Sequence, residues 1–243
     1  MVKITYISHS CFAVELEHSV LVFDYYQGEL PLWNPEKTIY VFVSHRHYDH
    51  FSKEIFRWTE QYPKIQYILS DDISEASYDA SEICRSDLTR IAPNQTETIG
   101  KCVIETFRST DEGVAFLVSC EGKLFYHAGD LNWWHWEGED PVWNRNMEAD
   151  FRRYAEPLRG RKIDLAMLPL DPRLGEDGFR GPSTSWSWRI SAAFCPCTSG
   201  EILTLQINSC HAILLSHPEL CTLTESVKSL HLRRKRTHED RWQ

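Results

Sequence analysis

The sequence feature that most constrains this chain is a cluster of histidines directly after an apolar run. Residues 39–43, Ile-Tyr-Val-Phe-Val, form an uninterrupted run that is typical of a strand buried on both faces. Three histidines and one aspartate then fall within six residues: His45, His47, Asp49 and His50. A single histidine is usually structural, but this density of ligand-type side chains is hard to explain that way. The cluster therefore predicts a metal site at the end of a strand.

The spacing within the cluster predicts two ions. His45 and His47 are two residues apart, so in an extended loop their side chains project to one side and can share one ion. Asp49 and His50 turn onto the next helix and can hold a second. Imidazole and carboxylate ligands together suit zinc, with manganese or iron as alternatives. The expected cofactor is a pair of divalent metal ions.

The phrase His-x-His-x-Asp-His after a buried strand resembles the metal-ligand motif of the metallo-β-lactamase superfamily. Two other segments are similar to that family in the expected order. Residues 22–24 resemble its strand that ends in aspartate, and residues 125–130 resemble its strand that ends in Gly-Asp. The resemblance covers residues 1 to about 181. It points to the branch of small metal-dependent hydrolases related to L-ascorbate-6-phosphate lactonase.

The resemblance implies an α/β fold, a four-layer αββα sandwich with the metals at one edge. Asp130 would bridge the two ions, and Asp24 would orient a ligand histidine. The implied reaction is attack by a metal-bridged hydroxide on a small ester, lactone or phosphoester. Asp49, Asp130 and His135 are the implied catalytic residues. By itself, Gly129-Asp130 is equally well read as a plain turn after a strand.

This chain departs from the family pattern at two further ligands, which are histidines in the family. The loop that often carries one contains Asp111, which could replace it as an oxygen ligand or could form a simple turn with Glu112. His127 lies three residues before Asp130 and on the opposite strand face if the strand is regular. It is a candidate metal ligand, or a neighbour that orients one.

The segment after residue 181 does not continue the family pattern. We back-translated residues 194–202 into degenerate codons and read these in the frame that begins at the third base. That frame permits Leu-Pro-Met-His-Phe-Trp-Gly-Asp, which resembles the family phrase that carries the last histidine ligand. The same shift over residues 181–190 permits a helix similar to the family's. We therefore expect a hydrolase domain over residues 1–181 and a poorly packed, out-of-frame tail over residues 182–243, with the C-terminal strand and helix disrupted. His211 and His217 remain as substitute ligands.

Aromatic and basic residues near the predicted metals are candidates for substrate binding. Trp134 and His135 follow the Asp130 loop, so Trp134 could wall a pocket and His135 could donate a proton. Loop packing explains both equally well. Arg173 follows a strand that ends at the same presumed edge and could hold a phosphate or carboxylate, although it could also be an ordinary surface arginine.

Composition limits the class of protein. The 243 residues are 42% hydrophobic, enough for one core, and the net charge of -9 argues against a nucleic-acid partner. The chain contains no apolar run near the ~20 residues of a membrane helix. The start of the chain reads as a strand, so we expect a cytoplasmic location with reduced cysteines. We also expect a small-molecule substrate, which could be anionic.

The secondary-structure pattern is that of two strand clusters, each followed by helices. Strands are predicted over residues 3–7, 11–16, 20–24, 39–43, 65–69, 103–107, 114–119, 123–127 and 164–168, and helices over about 52–61 and 144–159. Ser52 is the predicted N-cap of the first helix. Two sheets packed face to face with helices outside satisfy this pattern.

Two rival functions use the same fold. One is a metal-binding protein that has lost catalysis together with its C-terminal ligand. The other is a diiron redox protein, which usually has glutamate in the first ligand phrase and an attached flavin domain. This chain has histidine in that phrase and no room for a second domain, so hydrolysis is the preferred hypothesis.

Overall fold

Runs of apolar residues build two β-sheets that stack face to face. The computed structural model describes residues 2–75 and 87–186, together with four short strands between residues 193 and 234. The first sheet contains β1 (Val2–Ser8), β2 (Cys11–Glu15), β3 (Ser19–Phe23), β4 (Thr38–Val43), β5 (Ile65–Ser70) and β6 (Leu88–Ile91). The second contains β7 (Thr96–Ile99), β8 (Cys102–Arg108), β9 (Val114–Cys120), β10 (Lys123–His127) and β11 (Leu165–Met167).

Both sheets are mixed. In the first, β1 to β3 pair antiparallel and β3 to β6 pair parallel. In the second, β7 to β10 form an antiparallel meander, and β10 pairs parallel with β11. The four short strands extend these sheets: β12 (Ala193–Cys195) and β14 (Ile213–Leu215) beyond β11, and β13 (Leu203–Ile207) and β15 (Arg233–Arg234) beyond β1.

Three apolar layers hold the fold together. The layer between the sheets includes the buried rings Phe12, Phe23, Phe42, Phe116 and Phe125. A 3₁₀ helix, Lys53–Glu60, buries its apolar side chains against the outer face of the first sheet. The helix α1 (Pro141–Ala155) does the same on the second sheet. The predicted αββα sandwich is therefore confirmed.

The remaining helical segments are short and follow α1 or β11. They are the 3₁₀ helices Glu156–Leu158 and Pro172–Phe179, and the helix α2 (Arg180–Trp186). The segment that begins at Pro172 is capped by Asp171, whose carboxylate accepts the backbone N–H of Arg173 at 2.9 Å. This cap fixes the direction of the chain where it leaves β11.

Every predicted strand is present, and the differences lie at edges and ends. The strands β6 and β7 were not predicted because their sequences, Leu-Thr-Arg-Ile and Thr-Glu-Thr-Ile, contain few apolar residues. The helix α1 begins at Pro141 instead of residue 144, since proline suits the first turn and Asp140 caps it by accepting from the Val142 N–H at 2.6 Å. Ser52 caps the first helical segment as predicted.

Among the described residues, no helix is both long and apolar enough to cross a bilayer. Most of the segment 182–243 lies outside the described residues, so its interpretation as an out-of-frame tail stays a prediction.

The strand ends that carry the candidate site meet at one edge of the sandwich. Because β3 and β4 are parallel, Asp24 and Ser44 follow neighbouring strands at the same edge. The second sheet closes onto Ser44 through two glycines with positive φ. A Cβ at Gly113 would lie 2.0 Å from the Ser44 carbonyl oxygen, and one at Gly129 would lie 2.8 Å from the Ser44 Cβ. These glycines allow the loops before β9 and after β10 to reach the histidine cluster.

Candidate metal centre

The buried carboxylate of Asp24 organises the centre. It accepts hydrogen bonds from the Ser44 backbone N–H and hydroxyl, both at 2.7 Å, from His50 Nδ1 at 2.8 Å and from His127 Nε2 at 2.7 Å. Burial alone would favour the neutral acid, but the charges and hydrogen bonds of His127 and His50 outweigh it and hold the pKa of Asp24 well below its usual range. Asp24 is therefore an ionised anchor for the surrounding side chains.

Ser44 fixes which nitrogen of His45 faces the centre. The Ser44 hydroxyl has one hydrogen, which it donates to Asp24, so its oxygen accepts the Nδ1–H of His45 at 2.9 Å. The lone pair of His45 is then on Nε2. Burial, and then the neighbouring His50, lower the pKa of His45 to about 4, so the ring is neutral at neutral pH. A neutral imidazole with a free lone pair is the form that binds a metal.

An orphaned polar atom tests whether these residues fit a metal ion. His45 Nε2 is buried and has no hydrogen-bond partner among the described residues. It lies 3.5 Å from Asp130 Oδ2, and His50 Nε2 lies 3.6 Å from Asp130 Oδ1. Ligand bonds of about 2.1 Å in tetrahedral geometry place two ligand atoms of one ion roughly 3.4 Å apart. Each of the two histidines is therefore spaced from Asp130 as two ligands of one divalent ion would be, and the chemistry of these side chains fits a metal.

Asp130 belongs to a second group of potential ligands as well. His47, Asp111 and Asp130 each offer an atom within 4.8 Å of the others, with His47 Nδ1 3.9 Å from Asp111 Oδ2. This second group is more exposed than the first. The carboxylate of Asp130 is therefore within reach of both groups.

A third group contains a histidine that the sequence analysis missed. His9 Nε2 lies 3.3 Å from Asp49 Oδ2, and His9, Asp49 and His50 offer atoms within 4.8 Å of one another. His9 is in the turn between β1 and β2, far from the histidine cluster in sequence. The residues around it, Ser8 and Ser10, read as an ordinary turn, so no local signal marks it.

The structure brings the predicted ligands together. Six of them are in the three groups: His45, His47, Asp49, His50, Asp111 and Asp130. His127 is in none of these groups. Its Nε2 faces Asp24, and its ring stacks on Phe23 with centroids 5.0 Å apart. His127 and Asp24 thus lie behind the ligands and hold them in place.

The predicted substrate-side residues lie around the same edge. The Trp134 indole N–H donates to the Asp130 carbonyl oxygen at 3.0 Å, which ties that loop together. His135 Nε2 lies 3.8 Å from Asp177 Oδ2. The Arg173 guanidinium pairs with Asp171 and lies 5.5 Å from the centre of the Trp136 ring. The structure thus gives Trp134 and Arg173 structural partners, and their roles toward substrate stay predictions.

The metal-free protein should lose stability as the pH rises from about 6.5 to about 9. Burial opposes the charged form of His50, but Asp24 and Asp130 outweigh it and raise the pKa from 6.5 to about 9. A group whose pKa is higher in the folded than in the unfolded protein stabilises the fold fully at a pH below its unfolded-state pKa. This stabilisation is lost as the pH rises through its folded-state pKa. Urea midpoints measured with a chelator should fall over this range in the wild type, and much less in His50→Gln. An equal fall in both proteins would contradict this assignment.

Comparison with known proteins agrees with this geometry. Residues 3–135 match the model of the Beta-lactamase superfamily domain. A UPF0173 metal-dependent hydrolase from Methylacidiphilum infernorum is 38% identical over 189 residues, covering 69% of this chain and 72% of the relative. The chain belongs to the metallo-β-lactamase superfamily and is a metal-dependent hydrolase. The narrower relation to L-ascorbate-6-phosphate lactonase stays a prediction.

Solved structures show the same fold at low sequence identity. Igni18, a metallo-hydrolase from Ignicoccus hospitalis, is 16% identical with a TM-score of 0.52, and the match covers 82% of this chain and 83% of that one. YhfI from Bacillus subtilis, a metallo-β-lactamase fold protein, is 14% identical with a TM-score of 0.51 over 80% of this chain and 84% of that one.

Proposed function

We propose that this chain uses two divalent metal ions to hydrolyse a small ester, lactone or phosphoester. The observation that carries the proposal is Asp130, whose carboxylate is within reach of two ligand groups at once. A carboxylate that bound only one ion, or that formed only a structural ion pair, would not need to lie within reach of both ligand groups. Zinc suits these nitrogen and oxygen ligands best, with manganese and iron as alternatives.

Held by these residues, the ions would supply Lewis-acid chemistry: they would acidify a water molecule and stabilise negative charge on the substrate. The chain supplies the preorganisation. Asp24 and Ser44 hold His50 and His45 with their Nε2 atoms facing Asp130, so the side chains need little movement on metal binding. Asp49 offers a further carboxylate beside His50.

The substrate side of the proposal concerns charge and proton transfer. Arg173 has a well-exposed guanidinium close to Trp136, and it can attract a carboxylate or phosphate group of a small anionic substrate. His135 is partly exposed and can donate a proton to the leaving group. The acidic net charge of -9 fits a small substrate and opposes a nucleic-acid partner. We also propose a cytoplasmic location without membrane association.

Replacing His47 with alanine should remove one metal and abolish hydrolysis. His47 belongs to the more exposed group of potential ligands, together with Asp111 and Asp130. Without His47, an ion bound by this group keeps only Asp111 and Asp130 from it. His18→Ala is the matched control, because His18 lies at the opposite end of β3 from Asp24, beside Glu17. The measurements are metal content per chain and turnover of a panel of aryl esters, lactones and phosphodiesters.

The expected result is loss of about one ion per chain and of turnover in His47→Ala, with both unchanged in His18→Ala. Unchanged metal content together with unchanged turnover in His47→Ala would sink the assignment. Wild-type protein that holds its metal but hydrolyses no member of the panel, even with added zinc, manganese or iron, would favour the non-catalytic alternative.

A further inference from the structure

We propose that His9 is a metal ligand, which binds the same ion as Asp49 and His50. This inference rests on the proposed two-metal centre and extends it to a residue outside the histidine cluster. It assigns a specific role to the turn between β1 and β2, which brings one side chain to the metal edge. The ligand site is therefore assembled from three separate segments: the turn between β1 and β2, the loop after β4, and the loop after β10 in the second sheet.

The geometry around His9 is that of a ligand group. Its Nε2 lies 3.3 Å from Asp49 Oδ2, which is longer than a charge-assisted hydrogen bond of about 2.8 Å and close to the separation of two ligand atoms on one ion. The His9 ring is edge-on to the His50 ring, with centroids 5.4 Å apart and an interplanar angle of 87°. His9, Asp49 and His50 each offer a ligand atom within 4.8 Å of the others, so the edge-on rings can serve one site.

The backbone directs His9 to this position. The pairing of β1 and β2 is irregular between Tyr6 and Ser8, and His9 follows with a φ of 46°, in the left-handed region. Only a few per cent of residues other than glycine adopt that region. Because β2 pairs antiparallel with β3, with Phe12 opposite Phe23, this turn lies at the edge where β3 ends beside Asp24. The turn thus projects His9 over the site.

Among the described residues, the ligands of the centre leave one coordination position that His9 fits. His50 Nε2 can bind only one ion, since its Nδ1 is bonded to Asp24. If His50 serves the ion beside Asp49, the other ion keeps His45, His47, Asp111 and Asp130. The ion at His50 then has Asp49 and the shared Asp130, which makes three ligands. His9 supplies the fourth that tetrahedral coordination requires.

The competing explanation is that His9 only forms an ion pair with Asp49. Metal affinity separates the two explanations, because an ion pair would hold Asp49 away from the ion and its loss would not weaken binding. His9→Asn is the best variant, since asparagine tolerates positive φ and is too short to reach the ion. His9→Gly is a second variant that keeps the turn, and His18→Ala is again the control.

The test titrates metal-free full-length protein with zinc against a competing chelator and records the visible spectrum with cobalt. We expect wild type to bind two ions. In His9→Asn and His9→Gly one ion should bind as in the wild type. The affinity for the other ion should fall by about a hundredfold or more, and the cobalt spectrum should change. Thermal midpoints of the metal-free proteins should stay similar, because His9 is partly exposed.

Three results would overturn the inference. Two ions bound with unchanged affinity in both His9 variants would do so while leaving the proposed function intact. Loss of the second ion in His217→Ala, but not in the His9 variants, would assign the ligand elsewhere. Wild-type protein that binds fewer than two ions would overturn the two-metal centre and this inference together.

Discussion

Replacing Asp130 with asparagine should lower hydrolysis by about a hundredfold or more and leave the fold intact. The two carboxylate oxygens of Asp130 face His45 and His50 at 3.5 and 3.6 Å, and the same side chain reaches the group of His47 and Asp111. A neutral amide bridges two cations poorly. Metal catalysis contributes several kcal/mol, and each ~1.4 kcal/mol is a factor of ten in rate.

The fold should tolerate this change because Asp130 is on a loop and partly exposed, and its structural hydrogen bonds use its backbone carbonyl. That carbonyl accepts from the Trp134 indole and the Thr110 hydroxyl, and asparagine keeps it. The measurement is the pH–rate profile with saturating metal, beside the thermal midpoint. Asp150→Asn, on α1, is the control. An unchanged profile in Asp130→Asn would contradict the bridging role.

Replacing Asp24 with asparagine should destabilise the metal-free protein by about 3 kcal/mol or more. Removing one partner of a buried ion pair leaves the other without compensation, at a cost of roughly 3–5 kcal/mol. Here the donors left behind include His50 Nδ1, His127 Nε2 and the Ser44 hydroxyl. Asparagine tolerates the φ of 46° at this position, so backbone strain does not confuse the result.

The second consequence of this substitution is weaker metal binding, by about 10- to 100-fold, as the ligand histidines lose their orientation. Urea unfolding with a chelator measures the first effect, and zinc titration measures the second. Asp164→Asn is a suitable control, because the Asp164 carboxylate also forms an ion pair, with Lys123, but its side chain is 28% exposed. Equal stability and equal metal affinity in Asp24→Asn and wild type would show that Asp24 does not organise the centre.

The sequence predicted those parts of the fold that have strong hydrophobic patterns. The run Ile-Tyr-Val-Phe-Val became β4, which is buried along almost its whole length. The polar strands β6 and β7 escaped prediction because pairing with neighbouring strands, rather than local apolar content, stabilises them. The start of α1 was misplaced because Asp140 and Pro141 act through capping, which hydrophobic periodicity does not register.

The candidate site shows the same division between local and non-local signals. His45, His47, Asp49 and His50 are contiguous, so their spacing alone indicated a metal site. Asp24 and Asp130 needed the family resemblance, since one aspartate after a strand is an ordinary feature. His9 could not be predicted at all, because its approach to Asp49 depends on how β1, β2 and β3 pair.

The measurement that tests this account most directly is the metal content of the purified full chain. Zinc, manganese and iron should be measured in one elemental analysis, after the protein has been loaded with each ion and dialysed. We expect about two divalent ions per chain, bound by ligand groups that meet at Asp130. A folded protein that retains fewer than two ions under all of these conditions would contradict the two-metal centre.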